Sequence, residues 1–354
     1  MQRYESAGRE VVPVDEEARA EAARRQLSLT KPPGALGMLE EVGNQLSAIA
    51  GRCPPPVPVT PWVVVFASDH GVLAEGVSPW PQEVTGQMVR NFARGGAAIN
   101  VIARTVGASV KVVDIGMATD LPGEVDVVKA RVRNGTGNIA REQAMSREEA
   151  SVALDAGVAV AHELTGGGAD LLVTGDMGIG NTTPSAAVIA VLTGSDVAEV
   201  TGRGTGIDDD TFSRKLEVVR KALSRATSAG MVRSDGLSVL GQLGGLEIAG
   251  IAGLVIGAAS RRVPVLIDGV IAAAGALVAA SICPAAGGYC IAGHLSVEPG
   301  ARAALRSLGL RPLLDLSMRL GEGTGAALAV PIVGAAARLL CEMATFESAG
   351  VAEV

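Results

Sequence analysis

Aromatic residues are scarce in this chain of 354 residues: four Phe, two Trp and two Tyr make up 2% of it. So few rings, with a net charge of −7, exclude a nucleic-acid-binding surface built on base stacking and a basic face. Only three histidines are present, His70, His162 and His294, and they form no HExxH or other spaced ligand set. His70 and His294 end apolar runs and could face a site, but supporting roles are favoured over metal ligation. The four cysteines, Cys53, Cys283, Cys290 and Cys341, match no CxxC pattern and are expected to be free, mostly buried thiols of a reducing compartment. GxSxG is missing, as is the Gly-Lys-Ser/Thr of a Walker loop. Residues 1–15 lack the apolar stretch of a signal peptide. One uncharged run, Gly269 to Gly293, is long enough for a bilayer, but Pro284, Gly287 and Gly288 break it. It reads as a buried helix followed by a turn, and the protein is expected to be cytoplasmic, with no membrane partner.

What the chain has is small apolar residues. Hydrophobic residues make up 48%, charged residues only 19%, and there are 46 glycines. Such a core is built from Ala, Val, Leu and Ile in closely approaching elements. β-Branched runs alternate with helical stretches, which predicts βαβ units and a mostly parallel sheet. Trp62–Ala67, Val110–Gly116, Leu171–Thr174 and Val263–Ile267 read as strands, each running into Asp or Gly. Ligands bind beyond the carboxyl ends of such strands, although Asp and Gly also simply make turns. Ser146 and Glu149 form a capping box for a helix to about Leu164, stopped by Thr165–Gly168. Asp15 caps a charged helix from Glu16 to Leu29. The tail from Ala326 to Met343 is apolar and helical, interrupted at Pro331. The Cys53–Pro58 segment is a stiff connector, and there is no internal repeat.

Four segments carry potential chemistry. Gly175–Pro184 follows a strand and precedes the helical run Ser185–Leu192, with Thr183 expected as N-cap and Pro184 as first helical residue. A glycine loop at a helix N-terminus suits phosphate or ribose, or serves as a tight connection. Gly202–Gly206, with Lys215 downstream, is a second glycine loop. Gly135–Ala140 resembles a dinucleotide fingerprint but lacks the helix and acidic partner, so that reading is rejected. Gly321-Glu322-Gly323-Thr324-Gly325 surrounds one carboxylate with glycines. Glu322 is either a general base whose pKa desolvation raises, or an acidic residue in a first helical turn. Val84, Met88 and Phe92 share one helix face behind Trp80, a stripe that is either core or the wall of a flat apolar ligand.

Taken in order, the segments resemble the nicotinate-nucleotide–dimethylbenzimidazole phosphoribosyltransferase family of cobalamin biosynthesis. The resemblance runs from Leu29–Gly34 through Asp69–Val72, Glu75–Ser78, Gln87–Phe92, Gly178–Thr183, Leu243–Glu247 and Leu266–Gly269 to Arg319–Gly325. It implies a Rossmann-like α/β fold, a mostly parallel sheet flanked by helices, with residues 51–324 forming the substrate-binding domain. A smaller helical domain would be formed from both chain ends, 1–50 and 325–354, and the enzyme would be a homodimer. The implied reaction moves 5-phosphoribose from nicotinate mononucleotide to 5,6-dimethylbenzimidazole without metal or organic cofactor. By the same resemblance Glu322 is the base, and Trp80, Met88 and Met177 line the benzimidazole pocket. Asp176, Gly178, Asn181, Thr182, Gly204, Lys215 and Gly293 belong to the nucleotide site. This chain departs from the family pattern in having Asp176 for a usual Glu, Trp80 for a frequent Tyr, and Ala35 and Met38 for a usual Ser and Arg. The shorter Asp176 would reach substrate only through a water or a small shift. A non-catalytic binding relative, or an enzyme preferring another base, are the competing readings.

Overall fold

A computed structural model describes residues 2–121 and 126–352. Six strands, β1 (Pro61–Ser68), β2 (Ser109–Gly116), β3 (Val128–Lys129), β4 (Leu171–Met177), β5 (Val265–Ile267) and β6 (Cys290–Ala292), form one sheet in the order β3-β2-β1-β4-β5-β6. All five pairings are parallel. This is the dinucleotide-fold order, whose direction of winding reverses between β1 and β4 and opens a crevice there.

The strands read as continuous apolar runs because both faces are covered. Val64, Phe66, Val113, Ile115, Leu172 and Val265 point to one core. Their neighbours Val63, Val65, Val112, Leu171, Val173 and Leu266 point to the other. On the first face lie helices Arg147–Gly166, Thr182–Thr193, Leu246–Ser260 and Val270–Ile282; on the second lie Glu83–Ala93, Ala98–Val106 and Thr324–Glu342. Glycine replaces the missing aromatics as a packing device. A Cβ on Gly157 would lie 2.0 Å from the Gly250 carbonyl oxygen, and one on Gly253 would lie 2.0 Å from that of Leu154. Helices 147–166 and 246–260 therefore touch backbone to backbone.

Most expected elements appear with shifted ends. The capping box stands, with Ser146 Oγ accepting the Glu149 N–H at 3.0 Å and Glu149 accepting the Ser146 N–H at 2.7 Å. Asp15 accepts from Ala18 N at 2.9 Å and caps Glu16–Ser28. Gly269–Gly293 does contain a buried helix, Val270–Ile282, then a short 3-10 turn. Two expectations fail. Pro331 does not interrupt its helix, which runs unbroken from Thr324 to Glu342. Pro331 faces solvent, and the packed face carries the helix past the lost hydrogen bond. The helix after β4 starts at Thr182 with Asn181 as N-cap, so Pro184 is its third residue rather than its first. An N–H there has no helical acceptor in any case, which is why proline is tolerated.

Among the described residues, Thr324–Glu342 has the length and apolarity of a membrane span, and it packs against β4, β5 and Met38–Ala50. Glu16–Ser28, Met38–Ala50 and Thr324–Glu342 pack together, and we propose that they form the smaller unit. The first helix, Arg3–Glu10, packs instead on 147–166 and 246–260. The four cysteines are free; Cys283 and Cys290 are buried, Cys53 and Cys341 half-buried.

Candidate active site

A cavity of about 670 Å³ opens beyond the carboxyl ends of the strands, walled by the segments that follow β1, β4, β5 and β6. Trp80, Val84, Met88 and Met177 make an apolar wall. The stripe on helix 83–93 thus divides: Val84 and Met88 face the cavity, while Phe92 is core. Trp80 is 51% exposed at the rim.

Glu322 lies in the same cavity and is 4% exposed. Its φ is +62°, between Gly321 at +80° and Gly323 at +91°. Three consecutive left-handed residues curl the chain sharply; the flanking glycines adopt this without Cβ strain, and the strain falls on Glu322 itself. The turn presses on β4, where a Cβ on Gly175 would lie 2.5 Å from the Glu322 carbonyl oxygen. Asp268, at the end of β5, anchors it by accepting the N–H of Gly323 at 3.2 Å and of Ala326 at 2.8 Å. His294 Nε2 stands 3.4 Å from Asp268 Oδ1. The Glu322 carboxylate accepts the Ile99 N–H at 3.2 Å in the first turn of helix 98–106. Burial pushes its pKa above the ordinary value; the Ile99 N–H opposes this and the nearby Asp268 adds to it. It is not in its own helix's first turn, since Gly323 separates it from Thr324. The carboxylate therefore serves the N-terminus of helix 98–106 rather than that of its own helix.

Asp176 ends β4, is 5% exposed, and accepts Asn181 Nδ2 at 2.9 Å on Oδ2. Oδ1 is buried without a hydrogen-bond partner. Burial, then the Asp268 and Glu247 charges, push its pKa well above the usual carboxylate value despite Asn181. Burial and the neighbouring carboxylates thus favour the protonated form of this carboxyl over the ionised one.

The anion side is built from two loops. Gly178, Asn181 and Thr182 lead into helix 182–193, and Gly204 lies against them, where a Cβ would come within 3.1 Å of Thr182 Oγ1. Lys215, 1% exposed, bridges the loops, donating to Thr182 Oγ1 at 2.8 Å and to the Gly202 carbonyl at 2.9 Å. Burial pulls its pKa down to about 8, opposed by the charge of Glu298. Gly293 alone among the expected residues does not line the cavity. A Cβ there would meet Ala326 Cα at 2.5 Å, so it is glycine because helix 324–342 crosses it.

Behind the site, His70 and Glu247 pair at 3.1 Å with both side chains fully buried. A Cβ on Gly178 would come within 3.1 Å of His70 Nε2, so the imidazole backs the first glycine loop. Burial pulls the His70 pKa down, but Glu247 outweighs it and holds the group above its ordinary value. His162 is remote and pairs with Ser260 Oγ at 2.9 Å. Arg319, Ser296 and Glu298 also line the cavity. Nothing in their local sequence marked Ser296 or Glu298, and Arg319 was visible only within the Arg319–Gly325 motif. Among the described residues no group of three or more His, Cys, Asp or Glu is placed to hold a metal.

The chain matches a family model described as phosphoribosyltransferase over residues 11–351. A Salinispora tropica protein named nicotinate-nucleotide–dimethylbenzimidazole phosphoribosyltransferase is 54% identical over 356 residues, covering 96% of this chain and 97% of that one. A Chloroflexus aurantiacus protein of the same name is 54% identical over 353 residues, with 100% and 99% covered. The crystal structure of a protein of that name from Thermus thermophilus superposes with TM-score 0.90 at 48% identity, covering 96% of this chain and all of that one.

Proposed function

This chain belongs to the phosphoribosyltransferase family that its residues 11–351 match, and we propose that it moves 5-phosphoribose from nicotinate mononucleotide to 5,6-dimethylbenzimidazole, giving α-ribazole 5′-phosphate and nicotinate. The observation that carries the reading is one cavity joining a flat apolar wall, a Lys215-bridged glycine cradle and the buried carboxylate of Glu322. The wall suits a bicyclic base, since thioether and indole surfaces contact flat apolar rings well. The cradle suits a phosphate monoester through the N-terminus of helix 182–193 and the Lys215 charge.

In the mechanism, one benzimidazole nitrogen attacks the anomeric carbon while Glu322 takes the proton from the other. The new C–N bond forms as the bond to nicotinate breaks, and its electron pair neutralises the pyridinium ring. The leaving group therefore needs no proton, and one base is enough. A β-linked donor and an α-linked product require attack from the opposite face, with inversion. Asp176 faces the cavity, where its carboxyl would reach the ribose through a water or a small shift. Desolvation serves the base directly: a carboxylate of raised pKa accepts a proton more readily.

The resemblance also supports a homodimer in the cytoplasm, which light scattering of the purified protein and cell fractionation test. Mass spectrometry of protein mixed with nicotinate mononucleotide and 5,6-dimethylbenzimidazole tests the reaction. Nicotinate and riboside phosphate are expected in equal amounts, and a panel of other bases ranks the acceptor preference. Binding of either substrate without product would favour a non-catalytic role, and Asp176→Glu would be the first variant to restore turnover.

A further inference from the structure

Glu298 is a carboxylate in the wall of the cavity that is expected to receive an anion. It is 6% exposed and precedes helix Pro299–Ser307 as its N-cap, yet its side chain makes no capping bond to that helix. Its oxygen Oε1 instead accepts the Gly204 N–H at 2.8 Å. The rest of the carboxyl fills the space over Gly202, where a Cβ would lie 2.1 Å from Oε2. The next peptide is held as well, since Arg319 Nη1 donates to the Gly204 carbonyl at 2.8 Å. The Gly202 carbonyl in turn receives Lys215 Nζ. Arg203, which also lines the cavity, donates to the Ile207 carbonyl and to Asp209. The glycine turn thus has little freedom of its own and takes its shape from three side chains contributed by distant segments.

We propose that Glu298 is a positioning residue for the phosphoribosyl donor, holding the Gly202–Gly206 turn and, through Gly202, the Lys215 ammonium in the shape that receives the donor phosphate. The inference rests on the reading of the cavity as a nucleotide site. Its carboxylate does two separable things. As an acceptor it fixes the Gly204 peptide. As a negative charge it helps to keep the buried Lys215 protonated, being the charged group that faces that ammonium.

The two roles come apart in variants. Glu298→Ala removes both, whereas Glu298→Gln keeps an oxygen for the Gly204 N–H and loses only the charge. By calorimetry at pH 7, Glu298→Ala is expected to weaken nicotinate mononucleotide by about tenfold or more, the loss that follows one hydrogen bond to a charged group, with 5,6-dimethylbenzimidazole affinity unchanged. Glu298→Gln is expected to bind the nucleotide within about threefold of wild type at pH 7 by the same principle. Its affinity then falls off at lower pH than the wild type's, because Lys215 loses its supporting charge. Wild-type nucleotide affinity in Glu298→Ala, or equal losses for nucleotide and base in both variants, would overturn the proposal. If the alanine variant does not fold, the pH profile of Glu298→Gln decides alone, and superposition on the wild-type profile overturns it. Wild-type protein that binds neither nicotinate mononucleotide nor inorganic phosphate overturns the nucleotide-site reading and the inference together.

Discussion

Glu322 Oε2 accepts the backbone N–H of Ile99 at 3.2 Å, joining a glycine turn to the first turn of a helix 223 positions earlier in the chain. The contact holds one oxygen of a carboxylate that lines the cavity. It also opposes the upward pKa shift that burial gives the carboxyl.

Turnover should fall on the acid side as Glu322 takes up its proton. Its titration lies above the ordinary 4.5, so the acid limb of kcat should too. A kcat–pH profile checks this. A limb at or below that value would mean that Glu322 is not the titrating base.

Burial and the Asp268 and Glu247 charges favour the protonated form of Asp176, so an amide should replace it at little cost. Asp176→Asn is expected to retain activity within about tenfold, since a neutral hydrogen bond is worth about 1 kcal/mol. Steady-state kinetics measure it, and a loss of about 10²-fold or more would mean that the ionised form acts.

Lys215 should lose its charge as pH rises through about 8 in the free protein. Nicotinate mononucleotide should bind progressively more weakly above that pH, while the uncharged benzimidazole is unaffected. Calorimetry from pH 6.5 to pH 9.5 is the check, the interval being about 1.5 units either side of the titration.

The His70–Glu247 pair stabilises the fold only while His70 is charged. Its folded pKa is raised, so the stabilisation is full below the ordinary value of 6.5 and is lost as pH rises through the folded value. Glu247→Ala should cost about 3–5 kcal/mol at pH 6, because it strands a buried charge, and less at high pH. Urea unfolding at both pH values measures the difference.

Gly157→Ala should destabilise the protein by about 1–3 kcal/mol through overpacking. Its methyl would lie 2.0 Å from the Gly250 carbonyl and force helices 147–166 and 246–260 apart. A shift in the thermal midpoint reads this.

The central strands were legible because Val64, Val65 and their neighbours are apolar on both faces and need no partner information to be recognised. The two-residue β3 and three-residue β6 carry too short a pattern, and they exist through pairing with β2 and β5. Glu322 and Asn181 stand out because glycines or a helix start flank them, whereas Lys215, inside helix Asp209–Ser228, is placed in the site only by the family resemblance. Glu298 and the His70–Glu247 pair were not, since their partners lie 94 and 177 residues away and only the closed sheet brings them together. Gly293 misled for the opposite reason: a glycine at a strand end serves ligand approach and helix crossing alike, and here the helix takes the space.

The most direct test of the account follows nicotinate and riboside phosphate by mass spectrometry in wild type and Glu322→Gln, with nucleotide affinity measured alongside. The account predicts equal product amounts in wild type and a loss of about 10²–10⁴-fold in the variant, with nucleotide binding retained. Near-normal turnover in Glu322→Gln, or no product from wild-type protein, would contradict it.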